Sequence, residues 1–223
     1  SRGRAAPAHP CLVRGSAGTE CQFSSVSATG QGDLKMKARL FYVIGPSGAG
    51  KDSLLDYARR ALSEDPGFCF AHRYITRPAD AGGENHIALS QAEFQARQQA
   101  RLFAMHWCSH ELSYGIGIEI NQWLAKGLHV VVNGSRHYLE RAQVDYPELI
   151  PVWIDVEPEI LRQRLRARGR ETEAQIDDRL ARNRLLQLPH HAGIRINNNT
   201  RLEQAGEQLV DKLRQYARNQ ACA

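Results

Sequence analysis

The chain has 223 residues, 42% of them hydrophobic, and a formal net charge of +5, which suits one domain with a small inserted subdomain and enough material for a sizeable core. No apolar run approaches the roughly 18 residues of a membrane span. The positive balance suits an anionic small molecule as well as it suits nucleic acid, and no basic stripe with interleaved aromatics points to the latter. Five cysteines (Cys11, Cys21, Cys69, Cys108, Cys222) are dispersed without C-x-x-C spacing, which argues against a disulfide framework or a zinc site and for a reducing, cytoplasmic setting.

Residues 1–35 are small and polar, without periodicity and with few acids. This composition predicts disorder. It holds no apolar core of a secretory signal, and Met36 is read as the natural start of a domain spanning residues 36–223.

From residue 38 the pattern is regular. "ARLFYVIG" is a continuous apolar run ending in Gly, the signature of a strand buried on both faces. "GKDSLLDYARRAL" carries Leu54, Leu55, Ala58 and Leu62 at helical spacing. "FCFAHRYI" reads as a second strand. "SQAEFQARQQARLF" reads as a helix with Ser90 and Glu93 in capping-box spacing. "GIEINQWLAKG" is a helix closed by Gly127, and "LHVVVNGS" and "LIPVWIDV" are further buried strands. Pro158 opens the helix "PEILRQRLRARG". "TEAQIDDRLARNRLLQL" is helical, "GIRINN" a short strand and "RLEQAGEQLVDKLRQYA" an amphipathic closing helix. Apolar strands alternating with helices predict an α/β fold: a parallel sheet covered on both faces.

Between the first strand and its helix lies Gly45-Pro46-Ser47-Gly48-Ala49-Gly50-Lys51-Asp52-Ser53, a phosphate-binding loop in the strand–turn–helix context that gives such a motif weight. Its backbone amides and the helix dipole favour phosphate oxygens, and Lys51 reaches the outer phosphates. The motif departs from its usual form at one position: Asp52 stands where a Ser or Thr hydroxyl holds the magnesium of a nucleoside triphosphate. A carboxylate is a hard oxygen ligand suited to Mg²⁺, so Asp52 is a candidate metal ligand; the plainer alternative is that it only complements the helix dipole.

Arginines crowd "LRQRLRARGRETEAQIDDRLARN". Arg162, Arg166 and Arg182 fit a solvated face with i, i+4 pairing to Glu159, Asp177 and Asp178. Arg168, Gly169 and Arg170 fall where one helix stops and the next starts, a place for a lid that closes over a triphosphate. Arg73 and Arg77 flank a strand end and lead to Glu84, Asn85 and His86; such arginines suit bidentate binding of a second phosphorylated molecule. Tyr114 beside Gly115 can donate to a phosphate, whereas His86 reads as structural.

These pieces together carry a resemblance. "GPSGAGK", "TRP", "SYG", "RLRARG" with "DDRLAR", and the late "NNN" resemble a guanylate-kinase-type P-loop kinase. "AHRYITR", "ENHIALS", "VVNGSR" and "ILRQRLRARGRE" are similar to the ribose 1,5-bisphosphate phosphokinase family within that superfamily, over nearly all of residues 36–223. The resemblance implies a small substrate-binding insertion and an Arg-rich lid on the sheet core. It implies ATP with Mg²⁺ as donor and ribose 1,5-bisphosphate as acceptor, giving 5-phosphoribosyl 1-diphosphate in phosphonate breakdown. Lys51, Arg168 and Arg179 are the expected catalytic residues. The loop from Gly45 to Ser53 with Arg164 is expected to bind ATP, and Arg73, Arg77, Glu84, Tyr114, Asn133 and Arg136 the acceptor, with Ser135 beside them. Guanylate kinases usually carry an acidic strand end where this chain has Asn133, and a "YHF"-like segment where it reads "NHI"; both departures fit an acceptor without a base. Nucleic acid and membrane are not expected as partners, and a homodimer stays open. A nucleoside monophosphate kinase, or a binding module without catalysis, are the competing readings.

Overall fold

The computed structural model describes residues 37–81, 84–169, 171–185 and 193–218. The expected disorder of residues 1–35 and the lid position Arg170 lie outside the described residues. In chain order the elements are β1 (Leu40–Ile44), α1 (Lys51–Ala61), β2 (Phe68–Phe70), β3 (Arg73–Ile75), β4 (Ile87–Ala88), α2 (Gln91–Gln99), β5 (Phe103–Ser109), β6 (Leu112–Gly117) and α3 (Glu119–Ala125). There follow β7 (His129–Asn133), a 3-10 turn (Arg136–Tyr138), α4 (Leu139–Asp145), β8 (Ile150–Asp155), α5 (Pro158–Arg168), α6 (Glu173–Leu185), β9 (Ile194–Asn197) and α7 (Leu202–Arg218).

Five strands form a parallel sheet in the order β2-β7-β1-β8-β9. The central strand β1 is buried along its whole length because its alternate side chains serve two cores. Phe41 and Val43 pack with Leu54 of α1 and with Leu209 and Leu213 of α7. Leu40, Tyr42 and Ile44 pack on the other face with Ile120 of α3 and Ala142 of α4. A run apolar at every position is therefore what this strand requires. β1 pairs with β7 in the register Val43↔Asn133, and Gly134 N donates to Val43 O at 2.8 Å. The phosphate loop after β1 and the segment after β7 thus leave the sheet side by side, at the carboxyl ends where ligands of open α/β sheets bind. Tyr42 ties the two together from beneath: its buried hydroxyl donates to Ser135 O at 3.1 Å and accepts from Ser135 N at 2.9 Å.

A second, mixed sheet has the order β4-β3-β6-β5. β3 runs antiparallel to β6 and parallel to β4. Leu89, Phe94 and Phe103 form its own small core, with Phe94 stacked on Phe103 at 4.6 Å.

The sequence expectations need three corrections. "FCFAHRYI" is not one strand: β2 belongs to the parallel sheet and β3 to the second sheet. The apolar run ends at Ala71, and His72 and Arg73 mark the switch between the two strands. The helix expected over "SQAEFQARQQARLF" stops at Gln99, Arg101 takes φ 55°, and Phe103 already begins β5. Its start is as expected, with Ser90 Oγ accepting from Glu93 N at 3.1 Å, but the Glu93 carboxylate accepts from Arg97 instead of closing a reciprocal capping box. The β5–β6 hairpin and α4 are additions that the apolar periodicity did not announce. The buried parallel strands, the Pro158 helix start and the amphipathic α7 stand as read.

Candidate active site

The phosphate loop is shaped by two left-handed glycines, Gly48 at φ 91° and Gly50 at φ 81°, a conformation that any other residue adopts only with strain. A Cβ on Gly48 would also lie 2.9 Å from Leu161 Cδ1 of α5. Lys51 Nζ donates to Gly45 O at 3.0 Å and Pro46 O at 3.1 Å, so it arches over the loop toward the place of a bound phosphate. Burial pushes its pKa down to about 8; Asp52 opposes the shift, and Arg73, Arg136 and Arg168 reinforce it. Gly45, Ser47, Gly48, Gly50, Lys51, Asp52 and Ser53 line a cavity of about 350 Å³. Pro46 and Ala49 stand behind it: Ala49 is fully buried and donates its N–H to Pro46 O at 3.1 Å.

Across this cavity runs a chain of polar contacts between the two sheets. Asn133, only 6% exposed at the end of β7, donates from Nδ2 to Asp52 Oδ1 at 2.9 Å. The same Nδ2 lies 3.5 Å from Glu84 Oε2. Glu84 holds Arg73 in a two-point pair, with Nε–Oε1 at 2.7 Å and a second contact between Oε2 and Nη2. The Arg73 guanidinium stands 5.1 Å from the centre of the Tyr114 ring, and that ring stacks on Trp107 at 5.7 Å. Asp52, from the first turn of α1, therefore faces the cavity and the acceptor side together, and its Oδ1 is engaged by an amide. Asn133 Oδ1 is buried and has no hydrogen-bond partner. A buried acceptor left unmatched is costly, of order 1–3 kcal/mol.

The lid arginines divide as follows. Arg168, the last residue of α5 before left-handed Gly169, lines the cavity and has no ion-pair partner among the described residues. Arg179 of α6 donates to Ser47 Oγ at 3.0 Å and pairs with Glu171 at 3.0 Å. Arg164 Nη2 donates to Asn198 O at 2.8 Å while its Nη1 is buried without a partner. Asn198 in turn donates to Ala49 O at 2.7 Å, so Arg164 is held beside the loop near Gly50. Arg162 is tied to Asp177 at 2.6 Å and Arg166 to Glu173 at 2.7 Å; both are paired, as expected, but the pairs join α5 to α6 in place of the expected i, i+4 pairing along one helix. Arg182 is exposed, with Nε donating to Asp178 O at 3.3 Å, yet it borders a second cavity between α6 and the β5–β6 turn.

Arg136 lines both cavities, donates from Nη2 to Asn183 Oδ1 at 2.6 Å, and has its pKa lowered by burial. Arg77 is not brought into the central cavity. It faces His86, with Nη2 3.2 Å from Nδ1, and lines a separate surface cavity with Glu111. His86 contacts the Glu84 and Arg77 carbonyls at 3.1 Å each, the structural role expected of it. The residues that sequence reasoning passed over are Trp107, Ser109, His110, His137, Asp56 and Gly134, all lining the central cavity. The signal for the first three was two alternating runs separated by the two residues His110 and Glu111, a hairpin pattern.

The depressed pKa of Lys51 carries a testable sign. The unfolded chain holds this proton up to the ordinary value of 10.5 and the folded one only up to about 8. Between those pH values stability rises with pH, and below about 8 the penalty of the buried charge is fully present. Lys51→Met removes this penalty. Measured without nucleotide, the melting temperature of the variant relative to the parent is highest at about pH 7 and declines as pH approaches 10. A difference that grows with pH contradicts the burial account.

Comparison with known proteins accords with this geometry. A family model described as guanylate kinase matches residues 37–216. A protein of Thiobacillus denitrificans named ribose 1,5-bisphosphate phosphokinase PhnN is 56% identical over 79% of this chain and 93% of its own length. One of the same name from Desulfomicrobium baculatum is 54% identical over 78% of this chain and 92% of its own. The crystal structure of guanylate kinase from Anaplasma phagocytophilum superposes with a TM-score of 0.58 at 15% identity, over 82% of this chain and 87% of that one, a likeness that concerns the fold alone. Loop, sheet order and sequence agree: this chain belongs to the guanylate kinase family.

Proposed function

We propose that this chain transfers the γ-phosphoryl group of ATP to the 1-phosphate of ribose 1,5-bisphosphate, giving 5-phosphoribosyl 1-diphosphate and ADP, in the cytoplasm and as a step of phosphonate degradation. The names of its relatives support the substrate. The observation that carries the reading is Asn133: a buried amide, not an acid, at the strand end beside the cavity, bonded to Asp52.

The chemistry asks little of the protein beyond placement. An oxygen of the 1-phosphate attacks the γ-phosphorus, the bond to the ADP oxygen breaks, and the electron pair leaves with ADP. The attacking oxygen is already ionised at neutral pH, so no general base is required, and positioning with charge neutralisation supplies the catalysis. Lys51 meets the donor phosphates and Arg164 lies on the nucleotide side of the loop. Arg73, fixed by Glu84, and Tyr114 meet the acceptor, with Arg136 at the junction of the two cavities. Arg168 and Arg179 neutralise charge on the transferring group.

Mg²⁺ fits the donor set. Asp52 keeps one carboxylate oxygen beyond its bond to Asn133, and the Ser53 hydroxyl and Asp56 line the same cavity. Among the described residues no cluster of three His, Cys, Asp or Glu side chains forms a self-contained metal cage, as expected of an ion held jointly by one or two protein oxygens and nucleotide phosphates. Bound there, the ion would offset the charge of the β- and γ-phosphates.

An acceptor screen with ATP tests the reading. Transfer to ribose 1,5-bisphosphate is expected to exceed transfer to GMP by at least about 100-fold in kcat/KM, roughly 2.7 kcal/mol of discrimination; comparable values would sink it. In the same assay Asp52→Asn, which keeps an acceptor for Asn133, raises the Mg²⁺ concentration for half-maximal rate, and an unchanged requirement leaves Asp52 as a helix-end charge only. Arg168→Ala lowers kcat by about 10²-fold, whereas Arg162→Ala, which breaks only a surface pairing, changes it little. Equal losses in these two variants contradict the lid assignment.

A further inference from the structure

A bisphosphate acceptor presents two anions, and the central cavity accounts for one. The second cavity, of about 290 Å³, adjoins it through Ser47, His110, Arg136 and His137. Its described lining adds Arg179, Arg182 and Asn183 and contains no carboxylate. Three arginines and two imidazoles without an acid make a site for an anion, and guanidinium groups suit phosphate oxygens in particular. Arg179 is partly matched by Glu171. Arg136 spends one nitrogen on Asn183, and Arg182 has no ion pair among the described residues, so charge remains to be matched.

The backbone adds an independent observation. β5 and β6 pair through Ser109↔Leu112, leaving His110 and Glu111 as a two-residue connection with φ values of 49° and 62°. Such connections favour Asn or Gly, because both central residues need positive φ. His tolerates positive φ better than Glu, and a turn that carries both in place of Asn or Gly is a pointer to function. Ser109 Oγ lies 2.9 Å from His110 Nδ1, which orients the ring and leaves Nε2 as its remaining polar atom.

Resting on the function proposed above, we propose that the cavity between the β5–β6 turn and α6 is the subsite for the acceptor's remote 5-phosphate. Arg136, Arg182 and His110 are its ligands, and the turn is retained to present His110. Arg136, which lines both cavities, sets the spacing between the two phosphates of the acceptor.

The probe is ribose 5-phosphate, which carries only the remote phosphate, titrated calorimetrically into the protein saturated with MgADP. Arg182→Ala and His110→Gly are each expected to weaken its Kd by tenfold or more. His110→Gly relieves the positive φ, so its melting temperature stays equal or rises, which separates loss of a ligand from loss of fold. Unchanged affinity in both variants, or no measurable binding to the parent protein, overturns the subsite. Binding that behaves as expected in a protein that fails to phosphorylate ribose 1,5-bisphosphate overturns the function proposed above and leaves the subsite standing.

Discussion

The site depends on one side-chain amide bridging two carboxylates. Asn133 Nδ2 reaches Asp52 at the start of the phosphate-loop helix and approaches Glu84 in the loop between β3 and β4. Without that NH₂ group, two anions would face each other across the end of β7, and like charges so close force one of them to protonate or move. Glu84 is further neutralised by Arg73, and Arg73 is fixed in turn by the Tyr114 ring. The chain of contacts therefore links α1, behind the phosphate loop, to the second sheet.

Around that bridge the charges are arranged for a polyanion. Burial is the main cause of the lowered Lys51 pKa, and the charges of Arg73, Arg136 and Arg168 around the cavity add to it. The fold carries this cationic cluster at a cost, which bound phosphate would offset; binding energy and stability are thus opposed at the same residues. Arg162 and Arg166 of α5 are instead matched by acids of α6.

Much of this was legible in the sequence. β1, β7 and β8 announce themselves because a strand buried on both faces must be apolar throughout, and the phosphate loop because its glycines sit between such a strand and a helix. The end of α5 at Arg168 was legible too, from the Gly169 that follows it. The contact between Asp52 and Asn133 joins residues 81 apart, and no local pattern encodes it; the sequence offered each as a separate candidate. Arg77 illustrates the converse error, since a chemically suitable side chain beside the right strand is turned toward His86. The β5–β6 hairpin was passed over although "LSYGIG" alternates, because Ala104 and Cys108 blur the alternation of "FAMHWCS" before it, and with it went His110.

The most direct test replaces one amide by a carboxylate. Asn133→Asp removes the bridging NH₂ group and places a third acid between Asp52 and Glu84. Measured as kcat/KM for ribose 1,5-bisphosphate at saturating MgATP, the account predicts a loss of at least about 100-fold, or roughly 2.7 kcal/mol. Activity retained within a few-fold in a folded Asn133→Asp protein would contradict it, because the acceptor would then be recognised without the amide on which the site is built.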